Sequence, residues 1–293
     1  MPVVPDAGSL TSSRKSALAR TLHLSTSPSP SHLSTLPLPI TPTPTPTPNR
    51  THRPTAPDTM AMIIFQLYAV ATLIVGYLIT IGYSEPYTDW YSLGAHGLPL
   101  NVVGYGVDKF LQKIQVDKRD VSVFAPGSEK AEHWAKRTAP GGSISYLSAA
   151  SLKPRDHAEV LPYVVPQLEV EGNEDIVPVL RSYVEDMADR DDRFTIKPSN
   201  LESGDIGSVW LKRKHKWQMV GEFAHVHQDG SSHFILSVPD AREVLEKGWG
   251  ERHGMAGRMT PLTYMFVYAP RDEEELKEWK KIAKASAAFI TAE

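Results

Sequence analysis

The chain has 293 residues, a formal net charge of −3, 24 prolines and no cysteine. The absence of cysteine excludes disulfide bonds, thiolate metal ligands and a cysteine nucleophile. Because the charge is near neutral and no segment concentrates lysine and arginine, nucleic acid is not an expected partner.

The first 59 residues differ in composition from the rest of the chain. They are rich in serine, threonine and proline, and residues 41–48 are a strict Thr-Pro alternation. Such a segment buries too little apolar surface to offset the entropy lost on ordering. We therefore predict that residues 1–59 form a disordered tail, and its formal charge of +3 is too dilute for a nucleic-acid-binding arm.

The next segment, residues 60–83, is a continuous apolar run, MAMIIFQLYAVATLIVGYLITIGY, without a charged residue. A helix of about 20 apolar residues crosses the hydrocarbon layer of a membrane. The run is apolar on all sides, whereas a helix in the core of a soluble domain is usually amphipathic. The segment is therefore predicted to be a transmembrane signal anchor. A cleaved signal peptide is the less favoured alternative, because the run exceeds the usual apolar region of such peptides.

The orientation of this anchor follows from the basic residues beside it. Arg50 and Arg53 precede the run, whereas the first basic residue after it is Lys109. The positive-inside rule then places the N-terminus in the cytosol and the following domain in a lumen, in the endoplasmic reticulum or another endomembrane. If translation starts at Met60 or Met62, the tail is absent and this argument loses its basis.

Residues 84–293 are predicted to form one domain of helices and strands. Apolar periodicity and capping residues predict helices over 102–114, 174–190, 239–247 and 272–290, and strands over 194–196, 208–212, 218–227 and 264–268, with a further strand after Gly230. The first helix either lies along the membrane surface or packs on the domain. Strands that follow one another, with helices beside them, indicate an α+β fold with a mainly antiparallel sheet, and a parallel doubly wound fold is disfavoured.

The most informative stretch is a predicted hairpin with the loop Gln228-Asp229-Gly230. A three-residue hairpin loop commonly has glycine at its left-handed third position. This loop would pair His227 with Ser231 and His225 with His233, so that the three histidines share one face of the sheet. A two-residue Asp-Gly loop would instead place His233 on the other face.

Several motifs of the C-terminal half resemble the fungal luciferases that oxidise 3-hydroxyhispidin, and the wider luciferase-domain family. The matching pieces are Ala224-His225-Val226-His227, Ser232-His233, Asp240-Ala241 with Glu243-Val244-Leu245, GWGERH at 248–253 and YAPRDEEE at 268–275. The resemblance is best over residues 222–291 and extends weakly back to the anchor at residue 60. Residues 115–170 match poorly and the proline-rich tail lies outside the resemblance.

The resemblance implies an enzyme of secondary metabolism, an oxidoreductase of the monooxygenase type. It implies that O₂ is a co-substrate, that a hydroxypyrone or similar small aromatic molecule is the substrate, and that no cofactor is needed. Such a reaction requires a base, fixed positive charge or donors for a developing peroxide anion, and a dry pocket. The candidate catalytic residues are His225, His227, His233, Arg252, His253 and Arg271, and the candidate substrate-binding residues are Trp249, Glu251, Tyr264 and Tyr268.

Each candidate also has a simpler interpretation. His225, His227 and His233 suit zinc or iron, although no obvious carboxylate completes the set beyond the nearby Glu222 and Asp229. They could equally serve as bases and hydrogen-bonding groups without a metal, or be structural.

The two remaining motifs have structural explanations as well. Residues 248–253 could be a helix C-cap followed by a turn, with Trp249 in the core and Arg252 in an ion pair. Pro270 and the acidic residues after Arg271 are explained by helix initiation alone.

The sequence therefore leaves three candidate functions from different classes open. The first is a luciferase-like oxygenase, the second a non-catalytic small-molecule-binding or scaffold protein of the same fold, and the third a histidine-metal enzyme.

Overall fold

The computed structural model describes residues 59–94, 96–147, 152–202, 206–218 and 221–292. The predicted tail, residues 1–59, lies outside the described part except for its last residue, and so do the basic residues on which the predicted orientation depends. The first described element is helix α1, Thr59–Gly82, which is 24 residues long and coincides with the predicted anchor to within one residue at each end. Among the helices in the described residues, this one is long and apolar enough to span a membrane. Its most apolar 18-residue segment has a mean hydropathy of 2.2.

The strands form a single six-stranded sheet in which every pair of neighbours is antiparallel. In spatial order they are β1 Phe194–Pro198, β2 Gly207–Leu211, β3 Glu222–Val226, β4 Ser232–Ile235, β6 Tyr264–Val267 and β5 Gly250–Arg252. The first four lie next to one another because each connection returns the chain beside the preceding strand, whereas β6 pairs with β4 only after α6 and β5 have intervened in the chain. The predicted α+β fold with a mainly antiparallel sheet is confirmed.

In the described part of the chain, the α-helices that follow α1 are α2 Glu85–Ser92, α3 Val102–Ile114, α4 Glu129–Arg137, α5 Val177–Asp189, α6 Val238–Glu246 and α7 Glu273–Ile290. The helices predicted over 102–114, 174–190, 239–247 and 272–290 are thereby confirmed, with small shifts at their ends. Ser237 caps α6 by accepting a hydrogen bond from the amide of Asp240, and Asp272 caps α7 by accepting one from the amide of Glu275 at 2.8 Å.

Helix α7 packs on one face of the sheet and makes it the core face. The rings of Trp279 and Phe234 lie 5.4 Å apart, and the Trp279 indole donates a hydrogen bond to Ser232. Because side chains alternate along a strand, His233, which lies between Ser232 and Phe234, points to the opposite face. The alternation of β4 therefore separates the hydrophobic core from the face that carries the histidines.

The motif at 248–253 is only partly the predicted helix end and turn. Gly248 does end α6, in the left-handed region at φ +77°. The residues after it do not form a turn, because Gly250–Arg252 is an edge strand paired with β6. The sequence gives little sign of this strand, since three residues are too short for a periodic pattern.

Candidate functional site

The hairpin between β3 and β4 has the register predicted from its loop. His225 pairs with His233, and the amide of His227 donates to the carbonyl of Ser231 at 2.9 Å. Gly230 has φ +83°, which is the left-handed conformation expected at the third loop position. The prediction that His225, His227 and His233 share one face is confirmed.

These three side chains meet a carboxylate, and together we call them the histidine cluster: His225, His227, His233 and Glu202. One ligand atom from each of the four residues lies within 4.8 Å of the other three. The Nε2 atoms of His225 and His227 are 3.0 Å apart, and Oε1 of Glu202 lies 3.9 Å and 3.8 Å from them. The three histidines are at most 2% exposed, so the cluster is shielded from bulk water.

The other ring nitrogen of each histidine is held by an acceptor. Nδ1 of His225 lies 2.8 Å from the Glu222 carboxylate, and Nδ1 of His233 lies 3.3 Å from the Met265 carbonyl. Nδ1 of His227 lies 2.8 Å from the Ser231 hydroxyl, whose own proton is donated to Asp229. In all three rings the proton therefore belongs on Nδ1, and Nε2 presents a lone pair to the cluster.

Burial controls the charge of the cluster. It lowers the pKa of His227 and His233 well below the usual value for histidine, and the neighbouring imidazoles act in the same direction. Burial raises the pKa of Glu202 to about 7. For Glu222 burial alone would raise the pKa, but hydrogen bonds from His225 and its other donors lower it overall. His227 and His233 are therefore neutral near pH 7, while Glu222 is ionised.

Two further predicted residues border the cluster and bring hydrogen-bond donors to it. The Tyr264 ring stacks on His233 with centroids 4.6 Å apart, and among the described residues its buried hydroxyl has no hydrogen-bond partner. The His253 ring lies 5.3 Å from His233, and its Nδ1 accepts from the amide of Met255 at 3.1 Å. Burial lowers the pKa of His253 to about 3, so the neutral ring carries its proton on Nε2.

Glu251 and Tyr268 belong to a second group on the same face of the sheet. The buried Glu251 carboxylate contacts Lys118 at 2.7 Å, Arg119 at 3.2 Å and Gln167 at 2.9 Å, and it lies 3.5 Å from the Tyr268 hydroxyl. Glu251 also lines an open surface cavity of about 470 Å³. The ring of Phe266, which packs against His227, His233 and Tyr268, separates the two groups.

Three predicted residues do not join the histidine cluster. Trp249 is buried, and its indole donates to the carbonyl of Lys153. Arg252 lies on the opposite face of β5 from Glu251 and donates to the carbonyl of Ala256 at 3.0 Å. Arg271 is 59% exposed and pairs with Glu275 on helix α7. The expectation that Arg252 and Arg271 supply positive charge beside the histidines therefore has no support in the geometry.

Glu202 was not among the candidates predicted from sequence, which named Glu222 and Asp229 as the nearby carboxylates. Glu222 is instead a partner of His225, and Asp229 holds Ser231 and the amide of Glu169. Glu202 lies between β1 and β2, and its amide donates a hydrogen bond to the Ser199 hydroxyl at 3.0 Å. No spacing in the sequence connects this loop to the hairpin.

Comparison with known proteins matches the part of the chain that carries the three histidines of this site. The family model described as the luciferase domain matches residues 220–286. Proteins named luciferase from Neonothopanus nambi, Armillaria gallica and Armillaria mellea are each 43% identical over 75 residues, which is 24% of this chain and 28% of each relative.

The matched residues cover only about a quarter of the length of these curated relatives. No solved structure matches. The matched residues nevertheless include the hairpin, the short strand at 250–252 and most of helix α7. Residues 220–286 are therefore similar to the luciferase domain and to part of the fungal luciferases, in the region where the motifs indicated this resemblance.

Proposed function

We propose that this domain is a luciferase-like oxygenase that adds O₂ to a small aromatic or hydroxypyrone molecule at the histidine cluster. The observation that carries the proposal is the position of the cluster. Three buried imidazoles, each with a lone pair directed into the same space, lie within or beside the residues that match the luciferase domain. A resemblance that arose by chance would not be expected to fall on the residues that form this buried cluster.

The arrangement suits the first step of such a reaction. A hydroxypyrone becomes reactive towards O₂ when its hydroxyl loses a proton, because the resulting enolate is electron-rich. A neutral imidazole with a free Nε2 is able to accept that proton. The cluster offers His225, His227 and His233 for this role, because each ring directs an unprotonated Nε2 into the site.

The second step would use the donors beside the cluster. When the enolate carbon forms a bond to O₂, two electrons pass from the substrate to oxygen and a peroxide anion develops. The hydroxyl of Tyr264, which has no hydrogen-bond partner among the described residues, and the Nε2 proton of His253 are donors in a water-poor environment, where stabilisation of an anion is strongest. The peroxide then closes on the pyrone carbonyl, and loss of CO₂ breaks the ring.

Entry of the substrate requires a change in the structure. The cavity beside the cluster has a volume of about 20 Å³ and is lined by Glu222, Tyr264 and Leu201, among others. That volume holds about one water molecule. We therefore include in the proposal a displacement of the side chains of Leu201 and Glu202, which would open the cluster to the substrate.

The experiment for this proposal is an assay with 3-hydroxyhispidin, the substrate that the resemblance implies. The full chain in microsomes is given the substrate in air-saturated buffer while light, oxygen uptake and CO₂ are recorded. Light with CO₂ release would identify a luciferase, and oxygen uptake without light a dark oxygenase. If neither occurs although the folded protein binds the substrate, the chain is a binding protein and the proposed function is wrong.

We also propose that the protein is anchored in a membrane by α1, with the domain held against the lipid surface. All side chains of α1 are outside the protein core. Helix α3 buries Tyr105 and Leu111 against the domain but exposes a second apolar stripe of Val103, Val107 and Phe110. The end of α1 touches the start of α3, where Gly82 lies next to Val102. Exposed apolar residues beside a membrane span are well placed to enter the interface.

This membrane proposal predicts lipid contact at Phe110. A photoreactive benzophenone-alanine in place of Phe110, which is 60% exposed, should cross-link to phospholipid in microsomes. The same residue in place of Val179, which is an exposed apolar residue on α5, is the control and should give little lipid adduct. Equal labelling at the two positions, measured by mass spectrometry of the adducts, would show that α3 does not lie at the membrane.

A further inference from the structure

Two nitrogens of the histidine cluster lie within hydrogen-bonding distance of each other, yet in neutral rings neither of them has a proton to donate. The Nε2 atoms of His225 and His227 are 3.0 Å apart. Nδ1 of His225 donates to Glu222, and Nδ1 of His227 donates to Ser231, whose own proton goes to Asp229. Since each neutral ring has one proton, both Nε2 atoms are acceptors. Two acceptors at this distance repel each other unless a cation lies beside both.

The distances are those of ligands around one ion. Two metal–nitrogen bonds of about 2.1 Å that meet at a right angle place their nitrogens about 3.0 Å apart. This matches the separation of the His225 and His227 nitrogens. Glu202 approaches both of them almost equally, at 3.9 Å and 3.8 Å, and His233 completes a group whose ligand atoms lie within 4.8 Å. A small contraction towards a common centre would bring all four into coordination.

The partners of the three Nδ1 atoms also fit a metal centre. A histidine that binds a metal usually donates its other ring N–H to a carboxylate, a carbonyl or another fixed acceptor, which sets its tautomer and orientation. Here the acceptors are the Glu222 carboxylate, the Ser231 hydroxyl and the Met265 carbonyl.

We propose that the histidine cluster binds one divalent first-row transition-metal ion through His225, His227, His233 and Glu202. Three imidazoles and one carboxylate suit ions such as Zn²⁺, Fe²⁺, Mn²⁺ or Co²⁺, whereas Mg²⁺ and Ca²⁺ prefer oxygen ligands. The ion would lie at the site of the proposed oxygenation and would take up the three Nε2 lone pairs. In the metal-bound form the ion, by polarising the substrate hydroxyl, would therefore replace an imidazole as the group that promotes loss of the hydroxyl proton. Its binding does not depend on that function, so each is tested separately.

The test is the metal content of the full chain in detergent. The purified protein is dialysed in turn against Zn²⁺, Fe²⁺ under anaerobic conditions, Mn²⁺ and Co²⁺, then freed of excess ion and analysed by inductively coupled plasma mass spectrometry. The wild type should retain one ion per chain for at least one of these metals, and with Co²⁺ it should show visible ligand-field bands. His227→Gln and Glu202→Gln should bind less than a tenth of that amount at the same free-metal concentration.

Two further variants keep this test decisive. His133 is an exposed histidine on α4, so His133→Gln is the matched control and should bind like the wild type. Ser231→Ala leaves every ligand in place but removes the acceptor for His227, and it should weaken the affinity on the order of 10- to 100-fold. If a ligand substitution prevents folding, the metal affinity of Ser231→Ala is measured in its place.

The proposal is overturned if the folded wild type retains none of the four metals. It is also overturned if the ligand variants bind as much metal as His133→Gln. In either case a shared proton, rather than a metal, would lie between His225 and His227. If a folded wild type that retains none of the four metals still takes up oxygen with the substrate, the proposed function stands while this inference is removed.

Discussion

Replacement of His225 and His227 together by alanine is expected to lower oxygen uptake with the proposed substrate by at least 100-fold. The expectation follows from the role of the cluster as the group that removes the substrate proton. A positioned general base contributes typically 10²- to 10⁴-fold to a rate. The double variant removes two of the three free Nε2 atoms at the centre of the site. The measurement is the initial rate of oxygen consumption by the variant in microsomes, relative to wild type at equal protein.

The control is His133→Ala, which removes an exposed imidazole on α4 and should leave the rate unchanged. Because the exchanged side chains are buried, folding of the double variant is checked by circular dichroism and by its melting temperature in detergent. A folded double variant with the rate of the wild type would show that the cluster is not the reacting centre. A single His227→Gln exchange, which keeps a hydrogen-bonding side chain, provides a milder change if the double variant is unfolded.

Replacement of Gly230 by alanine is expected to be the most destabilising glycine exchange in the hairpin region, lowering the free energy of unfolding by about 3 kcal/mol. Gly230 has φ +83°, and a Cβ added there would lie 2.6 Å from the carbonyl oxygen of Asn173. The cost thus has two parts. A residue with a Cβ is strained in the left-handed backbone conformation, and the Cβ also clashes with the carbonyl oxygen of Asn173. The variant's melting temperature should fall by roughly 6–12 °C.

Gly127 provides a matched control for the backbone part of that cost. It has nearly the same conformation, φ +82°, but a Cβ there would meet no atom within 4 Å. Gly127→Ala should therefore cost only about 1 kcal/mol, or roughly 2–4 °C. Equal losses in the two variants would contradict the packing of the hairpin loop against Asn173. The comparison matters for function, because this loop fixes the register that brings the histidines together.

Much of the fold could be predicted from the sequence because local signals agree with the tertiary structure. The apolar run predicted α1, Ser237 as a capping residue predicted the start of α6, and the acidic residues 272–275 predicted the first turn of α7. The hairpin was predictable because a three-residue loop ending in Gly230 has one favoured geometry, and that geometry fixes every pair across the two strands. The convergence of His225, His227 and His233 followed from this register alone.

The rest of the site depends on contacts between segments that are distant in sequence. Glu202 reaches the histidines from the connection between β1 and β2. Lys118 lies more than a hundred residues before its partner Glu251, in a segment without a recognisable motif. Arg252 shows the opposite case, since its place in the GWGERH motif suggested a role beside the histidines. The alternation of the unrecognised strand β5 turns it to the other face.

The measurement that tests the central claim most directly is the origin of the oxygen atoms in the products. The full chain in microsomes is supplied with 3-hydroxyhispidin under ¹⁸O₂ in ordinary water, and the organic product and released CO₂ are analysed by mass spectrometry immediately after quenching. An oxygenase that works at the histidine cluster predicts ¹⁸O in these products, and no such products from the His225→Ala, His227→Ala double variant. Products without ¹⁸O, or labelled products formed equally by the double variant, would contradict it.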